Sequence, residues 1–391
     1  MSSQPATTPD PSNAPFDVVA VRRDLHAHPE IAYAETRTTT VISEWLTSFG
    51  LTPTVLPGGT GVLCDIGEDG PLIALRADID ALPLSDEKAV AYRSTVDGMC
   101  HGCGHDAHTA ILLGAAQALA AENPPGRVRL IFQPAEETVP GGATVAVAAG
   151  ALDGVAQIFA LHCDPRLPIG KVGVRIGAVT AACDGIEVVL RGTGGHTARP
   201  HLTQDVVYAL GRVVTELPGL LSRRVDPRAA MSVGWGAIEA GRASNAIPRT
   251  GRLRGTLRVF GHEAWNTAGP LVTSLIEQIV APCGVVAETT YTRGLPPVVN
   301  AAAAVAVQRA AVRSALGREA LTDTEQSMGG EDFAWYLEAV PGAMARLGVR
   351  APDADAFDLH QGTFDIDEQA LDVGVRYTVA LAREAVRMLA T

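Results

Sequence analysis

At 391 residues the chain is longer than one hydrophobic core usually organises, so two domains are expected. Apolar residues make up 47% and charged residues 19%, the balance of an ordinary soluble globular protein. Against 31 Lys and Arg stand 43 Asp and Glu, a net charge of −12 with no basic block, which argues against nucleic acid or an anionic membrane surface as a partner.

Residues 1–15, rich in Ser, Thr and Pro, read as a disordered leader without the basic start and apolar core of a secretory signal. No uninterrupted apolar run reaches membrane-spanning length, so no membrane partner is expected. Six cysteines without an export signal read as reduced thiols in a cytoplasmic protein. Phe16–Pro29 has helical spacing, and Thr36–Phe49 predicts a second helix ended by Gly50. Strand-like runs follow at Leu51–Leu56, Gly61–Ile66 and Leu72–Ala77. A helix is expected after residue 104, then a strand Val128–Phe132, a helix Gly142–Ala149 and a strand Ile158–Leu161 that ends at His162. Strands alternating with helices imply a mostly parallel α/β sheet, in which ligands bind at the carboxyl ends of strands.

From about Asp184 the rhythm changes. Strands at Gly185–Gly192, Ala230–Ile238, Gly251–Phe260 and Val285–Arg293 interleave with helices at Gln204–Leu217 and His262–Ala281. This β-α-β-β-α-β order is the ferredoxin-like arrangement, read here as a domain of residues 182–294 inserted into a first domain of residues 16–181 and 295–391. A helix from Asp367 to Leu389 closes the chain.

The stretch Met99-Cys-His-Gly-Cys-Gly-His-Asp-Ala-His108 is the densest in chemistry. Cys100, His101, Cys103, His105 and His108 could face one point if the chain turns at Gly102 and Gly104, and thiolate with imidazole favours zinc-like metals over magnesium or calcium. The Cys100-x-x-Cys103 pair also fits a redox couple or half of a structural zinc site. Asp78 and Asp80, Glu136 and Glu137, and His162 each follow directly on an expected strand and look like one site. Adjacent Glu136 and Glu137 point opposite ways on extended backbone, but a loop could let one bind metal while the other moves a proton. His360 stands alone in a loop. In the inserted domain, Gly192–His201 is a glycine-rich loop presenting two histidines, and Asn245 and Arg258 follow it; an arginine suits bidentate carboxylate binding.

Taken together, Arg23-Asp-Leu-His-Ala-His-Pro-Glu30, Arg76-Ala-Asp-Ile-Asp-Ala-Leu-Pro83, His101-Gly-Cys-Gly-His-Asp106, Glu136-Glu137, Gly194-Gly-His-Thr-Ala-Arg-Pro-His201, Asn245-Ala-Ile-Pro248 and Gly329-Gly-Glu-Asp-Phe333 make a pattern. The chain resembles the amidohydrolases and aminoacylases of metallopeptidase family twenty, most of all the branch with hippurate hydrolases and auxin-conjugate amidohydrolases. The resemblance implies a zinc-peptidase-like α/β catalytic domain with a ferredoxin-like α+β lid, and a homodimer formed through that lid. It implies two divalent ions per subunit, zinc first with manganese, cobalt or nickel as alternatives, on Cys103, His105, Glu137, His162 and His360. Glu136 is the implied general base, Asp80 orients a ligand imidazole, and His196 aids the oxyanion, in relatives from the partner subunit. Asn245 and Arg258 would grip the substrate carboxylate, and Gly329 and Gly330 would let the substrate approach closely.

Two departures stand out. Relatives usually read Leu-His-His-Pro-x-Phe at the last ligand, where this chain has Gln361-Gly362-Thr363 after His360; other branches bind metal with a histidine where Asp78 stands. The implied reaction is hydrolysis of N-acyl-L-amino acids, small-molecule substrates, to a carboxylic acid and a free amino acid. A dipeptidase or N-acetyl-diaminopimelate deacetylase of the same family is the nearest alternative. A non-catalytic amino-acid or metal-binding protein is the alternative of another class.

Overall fold

The computed structural model describes residues 15–122, 126–352 and 358–390, so the expected leader lies outside them apart from Pro15. Two compact units emerge. One runs through Gly177 and resumes at Val299–Glu325 and Asp332 onward; the other holds Ala178–Val298 with Gln326–Glu331.

The first unit is built on an eight-stranded sheet, ordered Thr54–Val55, Val62–Ile66, Arg127–Gln133, Leu72–Asp78, Val155–Pro168, Gly342–Arg350, Val172–Val174 and Leu321–Asp323. Its four middle strands, from Arg127–Gln133 to Gly342–Arg350, are parallel. Leu72–Asp78 is buried at every position, as a strand covered on both faces must be. The register sets Asp78 beside Gln133, so the segments that follow both strands leave the sheet at one edge. Thr54–Val55 is all that forms of the strand expected at Leu51–Leu56. The strand expected to stop at Leu161 continues to Pro168, because Gly342–Arg350 pairs with it as far as Asp164 and Pro168. His162 therefore lies inside a strand rather than at its end.

The helix His105–Glu122 begins at His105 and is buried nearly all round. Its first turn is tied to the helix Val18–Ala27 by charged side-chain contacts. Arg22, 1% exposed, donates from Nε to Asp106 Oδ2 at 2.7 Å and from Nη2 to Asp365 Oδ1 at 2.9 Å. His26 Nδ1 is also 2.7 Å from Asp106 Oδ2.

The second unit carries a four-stranded antiparallel sheet, ordered Ser232–Ala240, Thr250–Val259, Ala182–Arg191 and Val286–Leu295, with helices Val206–Leu221 and His262–Val280. That is the ferredoxin-like strand order. The segment Gln326–Glu331 packs here rather than with the C-terminal residues that chain order suggests. Ala181 N donates to Ser327 O at 3.0 Å, Ser327 N to Val179 O at 2.9 Å, and the Gln326 amide to Ala178 O at 3.1 Å. Among the described residues no helix is long and apolar enough to cross a membrane, and all six cysteines are free.

Burial works against ionisation of Asp106, but Arg22 and His26 outweigh it and hold its carboxyl well below the usual carboxylate range. Asp106→Asn should lower stability by up to about 3–5 kcal/mol, since it breaks a buried ion pair and leaves the buried Arg22 with only Asp365 and Glu368 for counter-charge. The native carboxylate's contribution is complete above about pH 4–5 and is lost as pH falls through its lower native value. The gap between wild type and variant in urea midpoint should therefore be wide at pH 7 and narrow in acid; equal midpoints at pH 7 would refute the assignment.

Candidate metal centre

Gly104 sits at φ +91, and a Cβ there would lie 3.1 Å from the Cys163 Sγ. Glycine suits both the left-handed dihedral and that close approach. The Gly104 carbonyl accepts from His108 N at 3.0 Å, which starts the helix at His105 and sets Cys103 and His105 on either side of the turn. Cys103 Sγ lies 3.6 Å from His162 Nε2. His360 arrives from the far end of the sequence, where its N–H donates to Gly102 O at 2.8 Å. Glu137 Oε1 is 3.2 Å from His360 Nε2 and 4.0 Å from His105 Nε2, and Glu136 Oε2 is also 4.0 Å from His105 Nε2.

The five expected ligands thus fall into two groups that share the Cys103 thiol. Cys103, His105 and His162 form one, and Cys103, Glu137 and His360 the other, each with its ligand atoms within 4.8 Å of one another.

Backbone carbonyls decide which imidazole nitrogen faces the cluster. His105 Nδ1 lies 2.9 Å from Asp80 O, and His162 Nδ1 lies 2.7 Å from Cys163 O. A carbonyl can only accept, so both Nδ1 atoms carry the proton and both Nε2 atoms turn inward. His105 Nε2 is buried without a hydrogen-bond partner. Burial disfavours charge on His105, yet Asp78, with Nε2 3.7 Å from its Oδ2, and Cys103 hold its pKa well above the usual histidine value. That negative potential favours a positive charge at Nε2, be it a proton or a metal ion. Burial pushes the Cys103 thiol up and the His162 imidazole down, so a bound cation would have to draw the proton off the thiol.

The remaining donors of the dense stretch go elsewhere. His108 Nε2 accepts from Cys163 N at 2.8 Å and Nδ1 donates to Asp78 Oδ1 at 2.6 Å, so neither nitrogen is available. Cys100 and Leu82 exchange backbone hydrogen bonds, and Cys100 and His101 belong to neither ligand group. Asp78 is occupied as well. Arg76 Nη1 donates to its Oδ2 at 2.6 Å, while Nη2 reaches Asp332 at 2.7 Å and Nε reaches Gln133 at 2.9 Å. Sequence spacing did not single out Asp332 for this purpose; it lies 256 residues from Arg76.

Glu136 and Glu137 leave their strand on a loop, not on extended backbone. Ala135 takes φ +55 and its carbonyl accepts from Gly142 N at 2.9 Å. A Cβ on Gly142 would lie 1.9 Å from Pro134 O, so this closure needs glycine. Asp80 ties the loop to the metal-facing histidine: Oδ2 accepts from Glu137 N at 2.9 Å, while Oδ1 lies 3.3 Å from His105 Nδ1.

In the second unit His196 and Asn245 are exposed neighbours, brought together where Gly195–His196 pairs with Ala246–Ile247. Arg258 Nη1 donates to Met328 O at 2.9 Å, next to Gly329 and Gly330, and Gly330 rests against Leu295 and Cys183.

Residues 74–384 match the model of peptidase family M20/M25/M40. The chain belongs to this family. It is a metal-dependent hydrolase of amide bonds. An N-acetylcysteine deacetylase of Bacillus subtilis is 38% identical over 93% of this chain and 96% of its own length. A Rhodococcus jostii protein bearing the name of a glutamate–cysteine ligase is 52% identical over 94% of this chain, which spans only 46% of that protein. Among solved structures, a B. subtilis protein described as a dinuclear metal-binding peptidase of the M20 family aligns with TM-score 0.84 at 36% identity, covering 96% of this chain and 98% of that one.

A thiol, inward-facing imidazoles and a carboxylate, with one imidazole nitrogen lacking any partner, fit a borderline divalent metal. Because Asp80 orients both His105 and the Glu137 backbone, Asp80→Ala should weaken metal affinity by about 10–100-fold, measured by competition with a chromophoric chelator. Unchanged affinity would show that Asp80 is dispensable.

Proposed function

We propose that this hydrolase cleaves the amide bond of N-acyl-L-amino acids, releasing a carboxylic acid and the free amino acid. The observation that carries the reading is the shared orientation of His105 and His162, whose Nδ1–H groups serve backbone carbonyls while Nε2 faces the Cys103 cluster. Relatives support the substrate class: besides the deacetylase, an N-acyl-L-amino acid amidohydrolase of Geobacillus stearothermophilus is 38% identical over 73% of this chain and 78% of its own length.

In this reading Cys103, His105, Glu137, His162 and His360 hold two divalent ions, with zinc favoured by the thiolate. When bound, such a pair lowers the pKa of water and polarises a carbonyl. Glu136 then takes the proton from the attacking water and delivers it to the leaving nitrogen, so that the amine departs uncharged as the C–N bond breaks. Ala198 N donates to His196 Nδ1 at 3.1 Å, which puts the His196 proton on Nε2 and makes that exposed atom a donor suited to a developing oxyanion. Asn245 and Arg258 are assigned to the α-carboxylate, with Gly329 and Gly330 assigned to close approach of the substrate beside Arg258. A homodimer formed through the second unit belongs to the same reading.

Glu136→Gln keeps the size of the side chain and removes the base. Its kcat on N-acyl amino acids should fall by about two to four orders of magnitude with metal content unchanged, the latter read by elemental analysis. Near-normal turnover would end the assignment. Cys103→Ser should instead lower bound metal, and a fully loaded, active variant would mean the shared ligand is misplaced. Arg258→Ala should raise KM about 10–100-fold, the loss expected for a charge-assisted hydrogen bond to a carboxylate; an unchanged KM would move the carboxylate elsewhere.

A further inference from the structure

Glu35 occupies the cap of the helix Thr36–Ser48, where a polar side chain usually accepts from the first-turn N–H groups. It makes no such bond. Glu30 does that instead, its Oε1 accepting from Arg37 N at 2.9 Å and its Oε2 from Thr38 N at 2.8 Å. Glu35 is thereby released from capping. It is fully buried, and its Oε1 accepts from Ala135 N at 2.7 Å, one hundred residues along the chain. Burial pushes this carboxyl up to about 7.

Ala135 is the residue before Glu136. It is completely buried and held at φ +55, a left-handed conformation that a residue with a Cβ keeps only when its surroundings over-determine it. Three bonds impose it: Gly142 N and, at 3.3 Å, the Thr138 hydroxyl on the carbonyl, and Glu35 on the N–H, the last being the only one of the three on that side of the residue. Without the carboxylate, a buried N–H loses its acceptor and the strained dihedral is free to relax. Any rotation there swings the next side chain, and a misplacement of about 1 Å at a reacting group can cost about 100-fold in rate. Glu137 has a separate anchor in Asp80 Oδ2. Loss of Glu35 should therefore fall on Glu136 and spare the metal ligands.

We propose that Glu35 is a positioning residue, bracing the Ala135 N–H from the cap of a distant helix so that the Glu136 side chain is correctly aimed. This rests on the reading of Glu136 as the proton-transfer group. The test compares Glu35→Ala and Glu35→Met, the latter filling the buried space without an acceptor, with Glu35→Gln, whose amide oxygen can still accept. Three quantities are read in the full-length protein: kcat and KM on N-acetyl amino acids, metal per chain, and amide hydrogen exchange of the peptide 134–142. The Ala and Met variants should lose about 10–100-fold in kcat, with KM and metal content near wild type and faster exchange confined to that peptide. The Gln variant should recover most of the turnover and the protection. Wild-type kcat in Glu35→Met, equal losses in the Met and Gln variants, or unchanged exchange would each overturn the proposal. Should the wild-type protein hydrolyse no acyl amino acid, the functional reading fails, and the exchange comparison still decides whether the brace exists.

Discussion

Carboxylates buried together at the end of a parallel sheet require positive charge, and the contacts behind the centre answer that need. An isolated buried anion is too costly to persist unpaired. Arg76 supplies the charge for Asp78 and Asp332, and Arg22 for Asp106. Around Cys103 imidazoles and carboxylates meet, and the nearest arginine influence there, Arg346 on His162, works against protonation of that imidazole. A cation bound at that point would complete the pattern that arginines set elsewhere in the unit.

Specificity of placement comes from bonds behind the cluster. Asp80 serves His105 with one oxygen and the Glu137 backbone with the other, so a single carboxylate ties the two halves of the ligand set together. Asp78 is withdrawn from the centre by Arg76 and His108. Cys103 stands where the two candidate ligand groups overlap.

The second unit orders its own polar groups by the same logic. Asp184 lies on the buried face of the strand Ala182–Arg191, where Trp265 Nε1 at 3.0 Å, Gly294 N at 2.8 Å and the Tyr291 hydroxyl satisfy it. Its neighbour Cys183 is paired in register with Arg258, so this internal anchor lies one residue from the strand position that presents the guanidinium.

Local chemistry was legible in the sequence wherever neighbours along the chain are also neighbours in space. Strand and helix periodicity, the ferredoxin-like order and the glycine-assisted turn from Cys103 to His105 are all short-range features, set by sterics and burial over a few residues. Choosing among the five donors of residues 100–108 was beyond such reasoning, because His108 is excluded by the Cys163 N–H and by Asp78, neither of which is near it in the chain. His162 sits inside its strand because a partner strand from far along the chain extends the ladder, Gly342 pairing with Ile158 and Arg346 with His162. Likewise the role of Glu35 depends on Glu30 having taken over the helix cap, and on an N–H one hundred residues away. The sequence by itself determined which residue types were on offer and which short segments would present them. Only the tertiary structure decided which nitrogen, oxygen or sulfur atom remains to face the centre, because a donor's availability depends on the partners that burial places against its other atoms.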